Sequence, residues 1–119
     1  MVTESSYFRI AKKESAKSTH KMKMGCVIVS GSNIIGRGFN IHKTHTKFGS
    51  GNGNTIHAEG MALIDAYSKS FDLSKCEAYI YRQGNLMARP CKHCLEYLKF
   101  AGIRKVYYTC EEDIVEEKI

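Results

Sequence analysis

Two short segments constrain what this chain can fold into more than any other feature of the sequence. The first is His57-Ala58-Glu59 and the second is Pro90-Cys91-Lys92-His93-Cys94. One imidazole and two cysteine thiolates are ligands that Zn²⁺ accepts, and three protein ligands leave the fourth tetrahedral position open for water. An open position distinguishes a catalytic zinc from a closed structural one. The sequence therefore predicts a fold that brings the two segments together around one metal ion.

The bulk composition predicts an ordinary globular chain. Its 119 residues are 43% hydrophobic and 25% charged, which suits a single domain over residues 1–119 with a buried core. No run of about 18 apolar residues is present, and residues 1–6 lack the basic and apolar segments of a secretory signal. We therefore expect a cytoplasmic protein with no membrane partner.

The five cysteines favour a metal site over disulfides. A reducing compartment leaves thiols free, and a C-x-x-C pair with histidines elsewhere in the chain is typical of metal binding. Cys26 and Cys76 lie in β-rich runs, where we expect both to be buried as small hydrophobic side chains.

The formal net charge of +6 is unevenly distributed. Basic side chains cluster in residues 9–23, and acidic side chains cluster in residues 111–117. A basic surface favours phosphate-bearing ligands, from a single nucleotide to single-stranded DNA or RNA. The alternative is a solvated helix face beside a solvated tail, and charge alone does not decide between the two.

Apolar periodicity and turn signals predict seven elements in the order α-β-β-α-β-α-β. Helices are expected over 4–19, from 57 to 67, and from Pro90, in the first turn, to Ala101, with Gly102 ending the last one. Strands are expected over 24–30, 34–39, 78–81 and 103–109, and glycines in the second strand indicate a bulge or a close backbone approach. Residues 40–56 are expected to form a glycine-rich loop, and residues 111–118 a short helix or a frayed end.

This order predicts an α/β protein with a three-layer α/β/α fold and a mixed central sheet. The first two strands are joined by Gly31-Ser32-Asn33, which suits an antiparallel hairpin. The third and fourth strands flank a helix, so a right-handed crossover makes them parallel. Ligands of such sheets bind near helix N-termini, and His57 and Cys91 each lie where a helix is predicted to begin.

Glu59 is the predicted proton carrier. It lies two residues after His57, so it points to another side of the helix turn and reaches a zinc-bound water without binding the metal. Two thiolates leave the zinc centre without net charge, so its water is less acidified and a nearby proton acceptor matters more. The alternative is a structural four-ligand zinc completed by His20, His42, His45 or Cys110; His93 is expected to face away.

Joined, the two segments read H-A-E…P-C-x-x-C, and the chain resembles the cytidine and deoxycytidylate deaminase superfamily. The resemblance runs from about Gly25 to Thr109 and includes residues 38–40 and 101–108. It implies a cytidine-deaminase-like fold and one Zn²⁺ per chain, held by His57, Cys91 and Cys94. It further implies hydrolytic conversion of a cytosine base to uracil, with Glu59 carrying the proton.

The same resemblance implies two substrate contacts. Asn40, in the G-x-N element after the second strand, would bind the sugar, and the backbone N–H of Ala58 would hold the carbonyl of the base. The alternative for Asn40 is a turn or cap residue. Deaminases of this kind often associate, so the resemblance leaves a homo-oligomer open, and the sequence marks no interface.

Departures from the subfamily patterns leave several substrates open. The chain lacks both the P-C-G-x-C-R-Q of free cytidine deaminases and the P-C-x-M-C-A of tRNA deaminases, and Gly60 stands where deoxycytidylate deaminases tend to have Asn. We expect a pyrimidine nucleoside or nucleotide, with 2′-deoxycytidylate first. One alternative is cytosine or adenine in single-stranded DNA or RNA, bound by residues 9–23 and Phe48. A zinc-stabilised module without catalysis is another, and the intact Glu59 argues against it.

Three further side chains are candidates for substrate contact. Phe48, among glycines, suits a flap that stacks on the base, and a solvated loop is its alternative. Arg82 leaves the third strand and Arg89 directly precedes Pro90, so both suit a phosphate. Surface charge is the alternative for each arginine.

Overall fold

The structure is a computed structural model that describes residues 4–19, 22–42, 55–69, 73–84, 87–111 and 113–119. Within these ranges the helices are α1 (Glu4–Ser15), α2 (Ala58–Tyr67) and α3 (Lys92–Ala101). The strands are β1 (Met24–Ser30), β2 (Asn33–Phe39), β3 (Ile41–His42), β4 (Thr55–Ile56), β5 (Cys76–Arg82), β6 (Lys105–Cys110) and β7 (Asp113–Lys118). None of the described helices is long and apolar enough to cross a lipid bilayer.

Five strands form a mixed sheet in the order β2-β1-β5-β6-β7. Strand β1 is antiparallel to both β2 and β5, whereas β5 and β6 are parallel and joined through α3. The predicted N-terminal hairpin and the predicted parallel pairing are therefore both confirmed. Strands β3 and β4 form a separate two-stranded antiparallel pair, and β4 is followed in the chain by His57 and α2.

Alternation along β1 divides the core into two halves. Cys26 and Ile28 face one side of the sheet, in a buried cluster with residues of α2 and α3. Val27 and Val29 face the other side, in a cluster with Tyr7, Phe8 and Ala11 of α1. Because successive side chains of a strand point to opposite faces, one apolar strand serves both layers. The predicted three-layer α/β/α arrangement is confirmed, and Cys26 and Cys76 are both buried as predicted.

Two glycines of β2 seat α2 directly on the sheet. A Cβ at Gly38 would lie 2.5 Å from the backbone O of Ala58, and one at Gly36 would lie 2.9 Å from Cβ of Ala66. These distances are shorter than any side chain tolerates, so only glycine lets the helix backbone come this close. The close approach predicted from these glycines is confirmed, and it fixes the first turn of α2.

The structure corrects four predicted elements. The acidic tail is neither helical nor frayed, because Asp113–Lys118 pairs antiparallel with β6 as strand β7. Pro90 precedes α3 instead of standing in its first turn, since the helix begins at Lys92. The first helix ends at Ser15 and not at residue 19, and the predicted loop 40–56 contains β3 and β4 at its two ends.

Candidate metal centre

Both metal-binding segments lie at the starts of helices. His57 is the N-cap of α2 and Cys91 is the N-cap of α3, each with an extended backbone. The backbone O of His57 accepts the first helical bond from Met61 N at 3.1 Å, and Cys91 O accepts from Leu95 N at 2.9 Å. Neither N-cap side chain makes a capping hydrogen bond to its own helix. The imidazole and the two thiols are therefore available to one another.

The three predicted ligands form one cluster whose donor atoms all lie within 4.8 Å of one another. Nδ1 of His57 lies 3.2 Å from Sγ of Cys94 and 3.6 Å from Sγ of Cys91. With Zn–S of about 2.3 Å and Zn–N of about 2.0–2.1 Å, a tetrahedral site separates sulfur from nitrogen by about 3.5 Å. The donor set and its spacing therefore fit Zn²⁺.

The electrostatics of the cluster depend on whether a cation is bound. Burial raises the pKa of the Cys94 thiol, and the neighbouring charges of Glu59 and Cys91 raise it further. The positive ends of two helices oppose this effect, because N-terminal N–H groups favour thiolate. Coordination to zinc deprotonates a thiol outright, so metal binding at this site releases protons and weakens as the pH falls.

Glu59 lies in the first turn of α2 and is almost completely buried. Burial raises its pKa to about 7, against the lowering effects of hydrogen bonds from its own backbone N–H and from the Cys94 thiol. Its Oε1 has no hydrogen-bond partner in the described part of the chain. Leaving such an oxygen unpaired in the interior costs about 1–3 kcal/mol or more. Structural stability does not explain this carboxylate.

The described residues supply three ligands to the cluster and no fourth. Cys110, considered from the sequence as a fourth ligand, lies outside it, as does His93, whose side chain is exposed. His20 and His45 lie outside the described residues, and for His42 the structure describes only the backbone, in β3. Three ligands beside an unpaired buried carboxylate match an open metal site.

A sequence model of the family described as "Cytidine and deoxycytidylate deaminase zinc-binding region" matches residues 1–110. This chain belongs to that family. The match covers both halves of the metal cluster, so the deaminase resemblance expected from H-A-E…P-C-x-x-C is confirmed. Comparison with curated proteins gave no significant match.

Solved structures support the same family and the same fold. A dCMP deaminase from the cyanophage S-TIM5 is 28% identical, with a TM-score of 0.70 over 88% of this chain and 80% of that one. Its complex with dCMP and dUMP is 26% identical, with a TM-score of 0.68 over 91% and 82%. A cytidine deaminase from Burkholderia pseudomallei is 18% identical and shares the fold, with a TM-score of 0.81 over 98% and 93%.

Asn40 is buried at the end of β2 in this deaminase, in a network that the sequence did not reveal. Its Oδ1 accepts a hydrogen bond from the backbone N of Met24 at 2.8 Å, and its Nδ2 donates to the backbone O of Met22 at 2.6 Å. The hydroxyl of Ser18 lies 2.7 Å from the same Oδ1. The side-chain amide thus ties the chain before β1 to the end of β2, as the turn-residue alternative requires.

Ala58 is the first residue of α2 and is fully buried. Its N–H is one of the helix-terminal donors that lack an intrahelical acceptor. Arg82, at the end of β5, uses its guanidinium within the protein: Nη1 donates to the backbone O of Met87 at 3.3 Å, and Nη2 lies 3.0 Å from Sδ of Met22. These contacts join β5 to the two segments beside it.

Arg89 lies two residues before Cys91 and binds a carboxylate that the sequence gave no reason to consider. Its guanidinium makes two hydrogen bonds to Glu117 of β7. The partners are 28 residues apart, and neither periodicity nor a motif links them. Phe48 lies outside the described residues, so its predicted stacking role stays a prediction.

Proposed function

We propose that this chain is a zinc-dependent hydrolytic deaminase that converts cytosine to uracil in a free nucleoside or nucleotide. The candidate substrates are 2′-deoxycytidylate, cytidine and deoxycytidine. The observation that carries the proposal is the buried, unpartnered Oε1 of Glu59 beside the His57, Cys91 and Cys94 cluster. A structural zinc site has no use for that oxygen, whereas a hydrolytic site needs a proton acceptor there.

The metal cluster prepares the nucleophile. His57, Cys91 and Cys94 would hold one Zn²⁺ per chain. When bound, the metal supplies a water of lowered pKa beside the base. The three ligands come from the starts of two helices that pack on the same face of the sheet.

Glu59 moves the protons. Its carboxylate accepts one proton from the water as the oxygen adds to C4 of cytosine, and it delivers that proton to ring N3. The same carboxylate then carries the remaining proton of the added oxygen to the amino nitrogen. The C4–N bond breaks with its electron pair on nitrogen, and water plus cytosine have become uracil plus ammonia.

Two groups orient the base and the sugar. The N–H of Ala58, at the start of α2, donates to the base carbonyl, because the first N–H groups of a helix have no acceptor within the helix. Asn40 Nδ2 carries a second N–H besides the one given to Met22, and we assign it to a sugar hydroxyl. Ala58 directly precedes Glu59, and Asn40 directly follows β2, whose Gly38 contacts the first turn of α2.

Two observations favour a free substrate over a polynucleotide. The cyanophage dCMP deaminase, 26% identical, was solved with dCMP and dUMP. The exposed cations Arg9, Lys12 and Lys13 lie on α1, which packs on the sheet face opposite α2 and α3. A strand bound along α1 would therefore lie across the sheet from the metal cluster.

The test is a substrate screen with the zinc-loaded full chain. Cytidine, deoxycytidine, 2′-deoxycytidylate and a cytosine-containing single-stranded oligonucleotide are each supplied, and ammonia and uracil are quantified. We expect turnover of at least one free substrate at a rate well above that of the oligonucleotide. Absence of ammonia from all three free substrates contradicts the proposal. Turnover of the oligonucleotide alone, falling steeply with salt, supports a polynucleotide deaminase in its place.

A further inference from the structure

We propose that Glu117, on edge strand β7, positions the cysteine half of the zinc site by clamping Arg89. The clamp is the pair of side-chain hydrogen bonds between these two residues. The inference rests on the proposed function only in taking Cys91 as a metal ligand. It assigns a role to the acidic tail, which the family match, ending at residue 110, does not include.

The clamp has the geometry of a strong ion pair. Arg89 Nε donates to Glu117 Oε1 at 2.9 Å, and Arg89 Nη2 donates to Oε2 at 2.8 Å. Two parallel N–H···O bonds fix the orientation of both planar groups, which a single contact does not. Accordingly, the hydrogen bonds and charge of Arg89 lower the pKa of Glu117, so the carboxylate is ionised at neutral pH.

A core tyrosine also donates a hydrogen bond to the Glu117 carboxylate. Tyr108 of β6 belongs to the core beneath α2 and α3, and its hydroxyl donates to Glu117 Oε1 at 2.9 Å. Glu117 itself lies on β7, which is paired with β6 along its whole length. The clamp is therefore anchored to the sheet at two points, through its own strand and through Tyr108.

Through its bonds to Glu117, Arg89 restrains the backbone of the segment that leads to Cys91. Ala88 is buried and its N–H donates to Thr109 O at 2.8 Å, and Pro90 is buried as well. Pro90 has no N–H, so the backbone directly before Cys91 cannot donate a hydrogen bond to a neighbour. A side-chain clamp at Arg89 supplies the restraint that the backbone does not, one residue before Pro90 and two before the ligand.

The expected effect is on metal affinity more than on global stability. Arg89 is 45% exposed and Glu117 27% exposed, and such pairs contribute little to unfolding free energy. Residues that bond directly to metal ligands typically change metal affinity about 10–100-fold when they are removed. The contacts of the clamp do not reach a metal ligand directly, so we expect a change of about three- to tenfold, below that range.

The test uses the full chain as wild type, Glu117→Gln, Arg89→Gln and the double variant, with Glu116→Gln as matched control. Glu116 lies on the same strand and its carboxylate lies 3.7 Å from Lys105, away from the metal-binding segment. Zinc affinity is measured by competition with a chromophoric chelator, and the visible spectrum of the Co²⁺-substituted protein reports ligand geometry. Amide exchange of Ala88 and Leu95, whose N–H groups bond to Thr109 O and Cys91 O, is followed in metal-free protein.

We expect both single variants to lower zinc affinity about three- to tenfold and to alter the Co²⁺ spectrum. The double variant should bind zinc as well as the single variant with the lower affinity, because both changes remove the same contact. Exchange at Ala88 and Leu95 accelerates in the same variants, while Glu116→Gln behaves as wild type. Unchanged zinc affinity with unchanged exchange in Glu117→Gln overturns the clamp, and so do additive effects. Because none of these readouts uses a substrate, failure of deamination in the wild type contradicts the proposed function alone.

Discussion

The two halves of the metal centre are built differently, although each is the first turn of a helix. In α2 the first three residues, Ala58, Glu59 and Gly60, are all buried. In α3 the first two residues, Lys92 and His93, are exposed, and only Cys94 and Leu98 of this helix are buried. The half that carries the proton acceptor is therefore enclosed, whereas the half that carries the thiols is enclosed only at Cys94.

The contacts that position the two halves of the metal centre also differ: backbone packing positions α2, and side chains position the segment before α3. The first turn of α2 rests with its backbone against Gly38 of β2, a contact that needs no bound metal and no side chain. The segment before α3 is held by the Ala88 backbone bond and by side chains, chiefly Arg89 on Glu117. Glu59 is therefore positioned by the packing of α2 on β2, whereas the two thiols depend on the metal and on the Arg89–Glu117 clamp for their position.

Removal of zinc is expected to produce the largest difference between the halves. The reporters are the first helical amides, Met61 N–H on His57 and Leu95 N–H on Cys91. After chelation, we expect exchange at Leu95 to accelerate by about tenfold or more, equal to about 1.4 kcal/mol of local opening, with little change at Met61. Equal acceleration at both amides in hydrogen-exchange measurements breaks the comparison.

A methyl group at the α2 seat is expected to have an intermediate effect. In Gly38→Ala the added Cβ meets the Ala58 backbone at 2.5 Å, and overpacking of this kind costs about 1–3 kcal/mol of unfolding free energy. Gly36→Ala is the matched control, because its Cβ meets the backbone O of Ala62 and Cβ of Ala66, which both lie beyond the first turn of α2.

Both glycine variants should lower the denaturation midpoint, but only Gly38→Ala should also weaken zinc binding and turnover beyond its loss of stability. Zinc competition and urea unfolding on the two proteins measure this. Equal zinc affinity in both variants would show that the seat of α2 does not position His57.

The smallest expected effect is that of His93→Ala. His93 lies between the two cysteines but is exposed and outside the metal cluster. Exposed positions of this kind change stability by no more than about 0.5 kcal/mol, and we expect zinc content and turnover to stay at wild-type levels. Loss of zinc from this variant, measured by metal analysis, contradicts the three-ligand account and sharpens the search for a fourth ligand.

Local patterns in the sequence predicted most of the helices and strands and the three metal-ligating residues. Strand β1 was predicted with correct bounds, because its short length, its β-branched residues and the following turn signal favour a buried strand over a helix. The cluster of His57, Cys91 and Cys94 was predicted because ligand chemistry and helical spacing are both local. The glycines of β2 also predicted their close contact with α2.

The missed features depend on pairings between distant parts of the chain. Strand β7 alternates weakly, is mostly exposed and is rich in glutamate, so nothing in residues 113–118 alone distinguishes a strand from a helix; β6 decides it. The partner of Arg89 is Glu117 for the same reason. Asn40 was recognised through a motif, but its bonds to Met22 and Met24 follow from how α1 returns to the sheet.

We infer that Glu59 transfers protons during deamination and does not bind the metal, and one paired measurement tests this role. Zinc per chain and uracil formed per zinc are determined together for the wild type, Glu59→Gln and the exposed control Glu96→Gln on α3. We expect the same amount of zinc per chain in all three proteins, with turnover reduced by roughly 10²–10⁴-fold in Glu59→Gln alone. Loss of zinc from Glu59→Gln, or turnover at the wild-type rate, would contradict it.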